Sequence, residues 1–359
     1  MKRPMSYFRP SVDRMTGYRP GEQPKPGTSI VKLNTNENPY PPSPQALEVL
    51  RNFDGDLLRR YPDFFAKEFC QSVSEVFGVP ADWIILGNGS DELLNLLIRA
   101  CAEGSDRKVV YPTPTYLLYR TLAAMQPAQV IEIPYPDDFQ LPMKAIIQAQ
   151  GALTFIASPN SPSAHIVPLE DLRSLAQQLS GILVVDEAYV DFATDSALPL
   201  LEEFDNVILL RTLSKGYGLA GLRIGFGLAH PRLLSGLFKV KDSHNVDIVA
   251  MLVGAAAIRD QTYKNNCAEK VKASRAQLIT DLGKLGFVVP DSQTNFVLAT
   301  PPGGDAEQLY LALKERGILV RYYKEPRLDD KLRITVGTPE QNQVLLKELA
   351  TLCSTLCSS

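Results

Sequence analysis

VILLRTLSKGYGLAGLRIG, residues 207–225, joins a short apolar run to a glycine-rich turn that carries a single lysine. The apolar run, Val207–Leu210, is typical of a buried strand, and the glycines that follow it mark a turn. The turn presents Lys215, and Arg223 follows eight residues later. The sequence therefore predicts that a buried strand delivers an amine and a guanidinium to the same turn.

A second apolar run ends in a carboxylate. Ile182–Val185 is followed by Asp186, and Tyr189 comes three positions later. An amine that forms an imine, a carboxylate for a pyridinium nitrogen, a phenol, and an arginine for a phosphate together describe a site for pyridoxal 5′-phosphate (PLP). The two segments resemble the fold-type I PLP enzymes and, within them, the histidinol-phosphate aminotransferases.

Short apolar runs alternate with helical patterns from residue 45 to about residue 240. The predicted strands include Lys108–Tyr111, Val130–Ile133, Thr154–Ala157, Ile182–Val185, Val207–Leu210 and Ile224–Leu228. Such alternation is typical of an α/β fold with a largely parallel sheet that helices cover on both faces. Ligands of these sheets bind beyond the carboxyl ends of the strands, which is where Asp186 and Lys215 fall.

Beyond residue 240 the pattern indicates a smaller α+β domain. One long helix is predicted over Val246–Leu285, and short strands with two more helices follow it. An extended, proline-rich N-terminal arm is expected to join this small domain. We therefore divide the chain into the arm (1–44), a large PLP-binding domain (45–240) and a small C-terminal domain (241–359).

The composition is that of an ordinary soluble enzyme, with 45% hydrophobic and 21% charged residues. A net charge of −3 provides no basic stripe, which argues against a nucleic-acid partner. No apolar run approaches the roughly 20 residues that span a bilayer, and no signal peptide is evident, so we expect a cytoplasmic protein without a membrane partner. Five scattered cysteines and three histidines favour neither a disulfide framework nor a metal site.

Three residues are predicted to carry the chemistry. Lys215 would form the Schiff base with PLP as an uncharged amine, and would then serve as the base for the proton shift of transamination. Asp186 would pair with the protonated pyridine nitrogen and maintain the ring as an electron sink. Tyr189 would reach the 3′ oxygen of the ring and stabilise the imine.

The phosphate of PLP needs backbone amides at a helix N-terminus together with side-chain donors. GNGSDE, residues 87–92, supplies Ser90 and Asp91 before a leucine-rich helix and resembles the phosphate loop of the family. Taken alone, this pattern also fits an ordinary helix cap at Ser90. The remaining predicted phosphate ligands are Thr212, Ser214 and Arg223, with Arg223 as a bidentate donor.

The resemblance implies three further cofactor contacts. Tyr116 would stack on the pyridine ring, although an aromatic residue here also fits simple packing. Asn160 would donate to the 3′ oxygen and contact the substrate; its segment departs from the family pattern at Ser161 and Ala164, where an asparagine and a glycine are usual. Tyr61 matches a tyrosine that a partner subunit lends to the phosphate, which implies a homodimer with shared active sites.

Two arginines are predicted to bind the anion of the substrate. Arg333 matches an arginine that aminotransferases use for this purpose, and Arg321 follows a short apolar run at which the family places another. Two guanidinium groups suit a dianionic phosphate better than a single carboxylate. The resemblance also places Tyr18 and Asn36, the latter in the arm segment Asn34–Tyr40, at the mouth of the site as substrate contacts.

The resemblance and the predicted site residues together imply the transfer of an amino group between L-histidinol phosphate and 2-oxoglutarate in histidine biosynthesis. The residues leave two other PLP activities open, an aminotransferase of aromatic or other amino acids and a threonine-phosphate decarboxylase. A non-catalytic, PLP-binding regulator is the alternative outside enzymes. It would need a fused DNA-binding domain, for which the arm before residue 30 is too short.

Overall fold

The computed structural model describes residues 6–15, 17, 22–24, 30–126 and 128–356. Tyr18, a predicted substrate contact, lies outside the described residues. The strands are β1 Val31–Lys32, β2 Ile84–Asn88, β3 Gly104–Thr113, β4 Ala128–Pro134, β5 Leu153–Ala157, β6 Ile182–Asp186, β7 Val207–Thr212, β8 Ile224–Ala229, β9 Phe296–Ala299, β10 Ile318–Leu319, β11 Arg321–Tyr322 and β12 Leu332–Thr335.

The helices connect these strands and cover them. They are α1 Pro10–Asp13, α2 Pro44–Arg51, α3 Lys67–Phe77, α4 Ser90–Cys101, α5 Leu118–Met125, α6 Met143–Ala149, α7 Leu169–Gln178, α8 Leu200–Glu203, α9 Pro231–Val240, α10 Ile248–Arg259, α11 Gln261–Lys284, α12 Ala306–Glu315 and α13 Pro339–Leu356. Within the ranges given above, none of them is long and apolar enough to cross a lipid bilayer.

The centre of the molecule is a seven-stranded sheet with the strand order β2-β8-β7-β6-β5-β3-β4. β3 to β7 run parallel to one another, and β8 runs antiparallel to both of its neighbours, β7 and β2. β5 and β7 are buried along their whole lengths. The predicted α/β fold with a mostly parallel sheet is therefore confirmed.

Successive side chains of the central strands pack alternately into two separate apolar cores, one on each face of the sheet. Phe155 and Ile208 pack in the core on one face, and Ile156 and Leu209 pack in the core on the other. Side chains alternate between the faces of a strand, and helices bury both faces here. The near-continuous apolar runs in the sequence follow directly from this double burial.

The predicted single helix over Val246–Leu285 is wrong, because the chain breaks at Asp260 into α10 and α11. Asp260 leaves helical geometry at φ −87° and ψ 59°. Its carboxylate accepts a hydrogen bond from the Tyr263 amide (N···O 3.3 Å), and this cap begins a new helix. Helix α10 packs in a core of the large sheet. The domain boundary at residue 240 stays a prediction. Because α10 packs against the large sheet, whereas α11 contributes to the core of the small domain, we propose that the boundary lies at Asp260 instead.

The small domain is built on the strand order β11-β12-β9, which is antiparallel throughout. The arm adds β1, which pairs in parallel with β10. Leu33, directly after β1, is 1% exposed in the same core as residues of α11, α12 and α13. The arm segment that follows is thereby held between the small domain and the edge of the large sheet.

Candidate active site

A cavity opens at the carboxyl edge of the large sheet, where β5, β6 and β7 end in Ala157, Asp186 and Thr212. The predicted site residues that line it are Asn36, Ser90, Asp91, Tyr116, Asp186, Tyr189, Thr212, Ser214, Lys215, Arg223, Arg321 and Arg333. Asn160 and Tyr61 do not belong to the lining. The arrangement follows from topology, since the parallel strands all deliver their carboxyl ends to one edge.

Lys215 presents its amine to the cavity. Its Nζ donates a hydrogen bond to the Thr35 carbonyl (3.1 Å) and lies 5.7 Å from the centre of the Tyr189 ring. Burial, together with the nearby Arg333 guanidinium, lowers the pKa of Lys215 to about 8. The uncharged amine, which is the state that attacks an aldehyde, is therefore far more populated near neutral pH than in an ordinary lysine.

Asp186 is a buried carboxylate at the end of β6, with 5% exposure. Burial raises the pKa of Asp186 to about 6. Its Oδ2 accepts a hydrogen bond from Tyr119 Oη (2.7 Å), and its Oδ1 accepts one from the Ala188 amide (3.2 Å). No ion pair among the described residues includes Asp186. A protonated ring nitrogen would supply the cation that this carboxylate lacks.

The loop between β2 and α4 is shaped to admit an anion. Its Gly89 has φ 77° and is the N-cap of α4, with no side-chain cap hydrogen bond, so the alternative of a cap at Ser90 is wrong. A Cβ on Gly89 would lie 2.7 Å from Arg223 Nη2, and a Cβ on Gly225 would lie 2.2 Å from the Ser90 amide nitrogen. These two glycines leave the first amides of the helix accessible, and such amides attract phosphate.

Arg223 joins this loop to the lysine turn. Its Nη1 donates to Ser214 Oγ (3.2 Å) and its Nη2 to Asp91 Oδ2 (3.2 Å). Tyr116 Oη donates to the other oxygen of Asp91 (3.2 Å), and the Ser214 amide donates to Thr212 Oγ1 (3.1 Å). The Arg223 and Asp91 side chains are 46% and 39% exposed, and both line the cavity, so the Arg223 donors are accessible from it.

Asn160 is fully buried behind the cavity wall rather than in it. Its Nδ2 donates to the Pro114 carbonyl (3.1 Å) and to Ser163 Oγ (2.6 Å), and its Oδ1 accepts from Thr115 Oγ1 (2.7 Å). Ser163 Oγ in turn lies 2.7 Å from His165 Nδ1. Both amide hydrogens of Asn160 are thus engaged within the protein. Its contacts with a cofactor and a substrate stay predictions.

Tyr61 lies on the outer surface, with 85% exposure. Its ring stacks on that of His244, with centroids 4.8 Å apart and an interplanar angle of 22°. His244 Nδ1 is 2.8 Å from the Pro62 carbonyl, which fixes the imidazole beneath the tyrosine. Tyr61 therefore cannot serve the cavity of its own chain in this conformation.

The arm reaches the site through Asn36. Its Nδ2 donates to Tyr189 Oη (2.9 Å), while its backbone and Oδ1 bond to Thr335 Oγ1, both at 3.0 Å. Burial raises the pKa of Tyr189, so the phenol stays protonated. Asn36 adopts φ 57°, a left-handed conformation that asparagine tolerates better than most residues. The arm thus fixes the phenol that faces Lys215.

Arg333 and Arg321 stand directly opposite each other on β12 and β11. Arg333 donates to the Asn34 carbonyl (2.9 Å) and to Ser161 Oγ (3.3 Å), while its buried Nε has no hydrogen-bond partner among the described residues. Neither arginine takes part in an ion pair within those ranges. Two guanidinium groups without a carboxylate, one with an unused donor, make a site for an anion.

Three of the residues that sequence reasoning missed bear on the chemistry of this site. Tyr119 holds Asp186, and Tyr323 and Glu325 line the cavity beside the two arginines. Tyr323 lies two residues after Arg321, directly beyond the end of β11, and this spacing is a signal that could have found it. Tyr119 offers no such signal, because only the tertiary fold distinguishes it from a packing aromatic.

The family model for "Aminotransferase class I and II" matches residues 28–349 of the chain. The chain belongs to this family. Histidinol-phosphate aminotransferase 1 of Nostoc sp. is 62% identical over 97% of this chain and 98% of its own length. Histidinol-phosphate aminotransferase of Citrifermentans bemidjiense is 42% identical over 97% of this chain and 99% of its own. These relatives confirm the resemblance to histidinol-phosphate aminotransferases.

The chain also resembles a solved structure over nearly its whole length. Histidinol-phosphate aminotransferase from Sinorhizobium meliloti, in complex with pyridoxal-5′-phosphate, superposes with a TM-score of 0.88 at 26% identity. The match covers 98% of this chain and 99% of that one. The predicted fold-type I architecture is thereby confirmed.

Proposed function

We propose that this aminotransferase uses PLP to convert L-histidinol phosphate and 2-oxoglutarate to imidazole-acetol phosphate and glutamate, in histidine biosynthesis. The observation that carries the proposal is the presence, in one cavity, of the Lys215 amine and of the Arg321 and Arg333 guanidinium groups, which form no ion pair with a described residue. The identity of 62% to a histidinol-phosphate aminotransferase over nearly the whole chain supports it. We place the enzyme in the cytoplasm.

The residues present fit PLP. Asp186 is a buried carboxylate that forms no ion pair within the described part of the chain, which suits a protonated pyridine nitrogen. The uncapped start of α4, with Arg223 and Ser214, suits the phosphate. When bound, PLP supplies an aldehyde that takes up amino groups and a ring that accepts the electrons of a broken bond. Tyr116 lines the same cavity and donates a hydrogen bond to Asp91.

Lys215 is the residue that would hold the cofactor and move the proton. A pKa of about 8 allows its Nζ both to accept a proton from the substrate carbon and to release it again near neutral pH. Tyr189, fixed by Asn36, faces the same space and donates a hydrogen bond without losing its proton. A cation beside Asp186 would favour its ionised form and oppose the burial that raises its pKa to about 6.

Arg321 and Arg333 would bind the phosphate of the substrate. Arg333 is already oriented by the Asn34 carbonyl and Ser161, so binding costs little further ordering of its side chain. Its free Nε and the neighbouring guanidinium of Arg321 can donate to two phosphate oxygens. The carboxylate ends of 2-oxoglutarate would use the same donors in the second half-reaction.

We propose a homodimer in which Tyr61 reaches the cofactor phosphate of the neighbouring subunit. Leu58, Tyr61 and Phe65 are 64%, 85% and 54% exposed, which groups large apolar side chains on one surface segment. Sedimentation of the wild type and of Tyr61→Ala tests the assembly. A monomeric wild type with full PLP affinity would contradict it.

A donor screen tests the proposed reaction. The holoenzyme is supplied with histidinol phosphate, phenylalanine, tyrosine or threonine phosphate, and glutamate formation from 2-oxoglutarate is measured with each. Histidinol phosphate should give the highest kcat/KM. An aromatic amino acid that exceeds it would replace the proposed substrate, and carbon dioxide released from threonine phosphate would make the enzyme a decarboxylase.

A further inference from the structure

The ring of Tyr323 lies against both arginines of the proposed anion site. The guanidinium carbon of Arg321 is 5.1 Å from the centre of the ring, and that of Arg333 is 5.6 Å from it. Both distances fall within the roughly 6 Å at which a cation is attracted to an aromatic face. One aromatic ring therefore interacts with two cations.

The backbone of β11 and β12 explains this contact. Arg321 and Tyr322 project from opposite faces of β11, because side chains alternate along a strand, and Tyr323 follows directly after the strand with its ring against Arg321. Arg333 is the direct cross-strand partner of Arg321 and shares its face of the sheet. Tyr322 stacks instead on Tyr310 of α12, with centroids 5.8 Å apart.

Two like charges opposite each other on paired strands repel, and neither arginine forms an ion pair with another described residue. Glu325 lines the same cavity but forms no ion pair with either arginine. Arg333 also lies over a second ring, that of Phe296, at 5.2 Å, whereas within the described residues Arg321 lies over the Tyr323 ring only. The electron-rich face of Tyr323 is thus the attraction that opposes the repulsion between the two guanidinium groups.

We propose that Tyr323 is a positioning residue that holds Arg321 and Arg333 side by side and thereby selects amino donors with a dianionic phosphate. A single carboxylate needs only one arginine, whereas a phosphate dianion gains from both. The choice of substrate in this inference rests on the proposed function. The positioning of the two arginines does not depend on that choice, and it can be tested by measuring the affinity of the PLP-loaded enzyme for inorganic phosphate.

The experiment uses the PLP-loaded enzyme, in which the cofactor fills its own phosphate site. Inorganic phosphate is titrated by calorimetry into the wild type, Tyr323→Phe, Tyr323→Leu and Tyr322→Leu. Tyr323→Phe keeps the aromatic face. Tyr322→Leu makes the same substitution one residue away on the opposite face of β11, and it controls for damage to the domain. Tyr323→Met, which also lacks an aromatic face, replaces Tyr323→Leu if that variant does not fold.

Tyr323→Leu should weaken phosphate binding about tenfold, equivalent to about 1.4 kcal/mol. Its KM for histidinol phosphate should rise by a similar factor while kcat stays near the wild-type value, because the change affects binding rather than proton transfer. Tyr323→Phe and Tyr322→Leu should bind phosphate within about twofold of the wild type. The preference for histidinol phosphate over phenylalanine should fall only when the ring is lost.

Unchanged phosphate affinity in Tyr323→Leu, or an equal loss in Tyr322→Leu, would overturn the inference. A wild type that does not bind inorganic phosphate would overturn it as well. A wild type that binds phosphate but does not convert histidinol phosphate refutes the proposed function alone. In that case the comparison of the Tyr323 variants still decides whether the ring positions the arginines.

Discussion

Tyr119 donates a hydrogen bond of 2.7 Å from its Oη to Oδ2 of Asp186, and both side chains are buried. Tyr119 also stacks on Phe155 of β5, with ring centroids 5.0 Å apart, so its hydroxyl has little freedom to move. This hydrogen bond opposes the rise that burial causes in the pKa of Asp186. The tyrosine therefore favours the ionised carboxylate that a protonated pyridine nitrogen requires.

Tyr119→Phe should lower kcat by about tenfold while the fold is retained, since a hydrogen bond to a charged group contributes about 1.5–3 kcal/mol. Tyr111→Phe is the matched control, because Tyr111 also donates to a carboxylate, that of Glu132 (2.8 Å), outside the cavity. Steady-state kinetics and thermal unfolding of both variants check the prediction. Equal kcat values for the two would make the Tyr119 hydroxyl purely structural.

The stability of the PLP-free protein should depend on the protonation of Asp186. Its pKa is raised from 3.8 to about 6, so the protonated form is favoured in the fold. The stability that this provides is complete below about pH 4 and is lost as the pH rises through about 6. The melting temperature of Asp186→Asn minus that of the wild type should therefore increase as the pH rises from about 4 to above 6.

The comparison is made by thermal unfolding of both PLP-free proteins across that pH range. Reconstitution of the wild type with PLP should shrink the difference, because the ring nitrogen then pairs with the carboxylate. A difference that does not vary with pH would show that Asp186 does not titrate there.

The buried strands and the residues at their ends were predictable because each depends on a local pattern. The Val207–Leu210 run is apolar since both faces of β7 are covered, and Lys215 follows it in a glycine turn. Arg321 on β11 and Arg333 on β12 were both predicted as anion ligands, but the register that places them opposite each other was not predicted. Register depends on strands that are distant in sequence.

What the sequence did not reveal depends on tertiary contacts or on single backbone angles. The hydrogen bonds of the Asn160 amide to Pro114 and Ser163 were not predicted, because only the folded loops bring these residues together. The contact of Asn160 with a ligand stays a prediction. The break at Asp260 depends on one residue leaving helical geometry within a pattern that is helical on both sides. Propensity alone does not locate such a break.

Lys215→Met should abolish turnover and, at the same time, stabilise the PLP-free protein at pH 7. The lysine pKa is lowered from 10.5 to about 8, so the fold disfavours the charged amine. The corresponding stability is present above about pH 10.5 and is lost as the pH falls through about 8. The advantage of the Met variant should therefore disappear at high pH.

Thermal unfolding of the two PLP-free proteins measures that difference. Borohydride reduction of the PLP-loaded wild type should label Lys215 in a peptide map, and the variant should not be labelled. A Lys215 variant that keeps full aminotransferase activity would refute the whole assignment of the site.

Gly225→Ala should disrupt the phosphate loop, because its Cβ would lie 2.2 Å from the Ser90 amide nitrogen. That contact is with backbone, so the start of α4 has to shift, and steric insertions of this kind cost about 1–3 kcal/mol. Gly221→Ala is the control, since a Cβ there meets nothing within 4 Å. Equilibrium dialysis of PLP should show weaker binding to the Gly225 variant only. Equal PLP affinity in both would mean that the close approach does not shape the cofactor site.

Arg333→Ala and Arg321→Ala should each raise the KM for histidinol phosphate by about tenfold or more, since charge-assisted hydrogen bonds contribute about 1.5–3 kcal/mol each. Arg333→Ala should have the larger effect, because its guanidinium is the one oriented by Asn34 and Ser161 and keeps a free buried donor. Arg316→Ala is the control, as that arginine pairs with Glu348 away from the cavity.

The wild type should also discriminate strongly against histidinol, which lacks the phosphate and leaves the two guanidinium groups without a partner. Values of kcat/KM for histidinol phosphate, histidinol and phenylalanine in the wild type and the three variants provide the test. If removal of either cavity arginine reduces activity toward phenylalanine as much as toward histidinol phosphate, the pair serves an ordinary carboxylate. The substrate assignment would then pass to an aromatic amino acid.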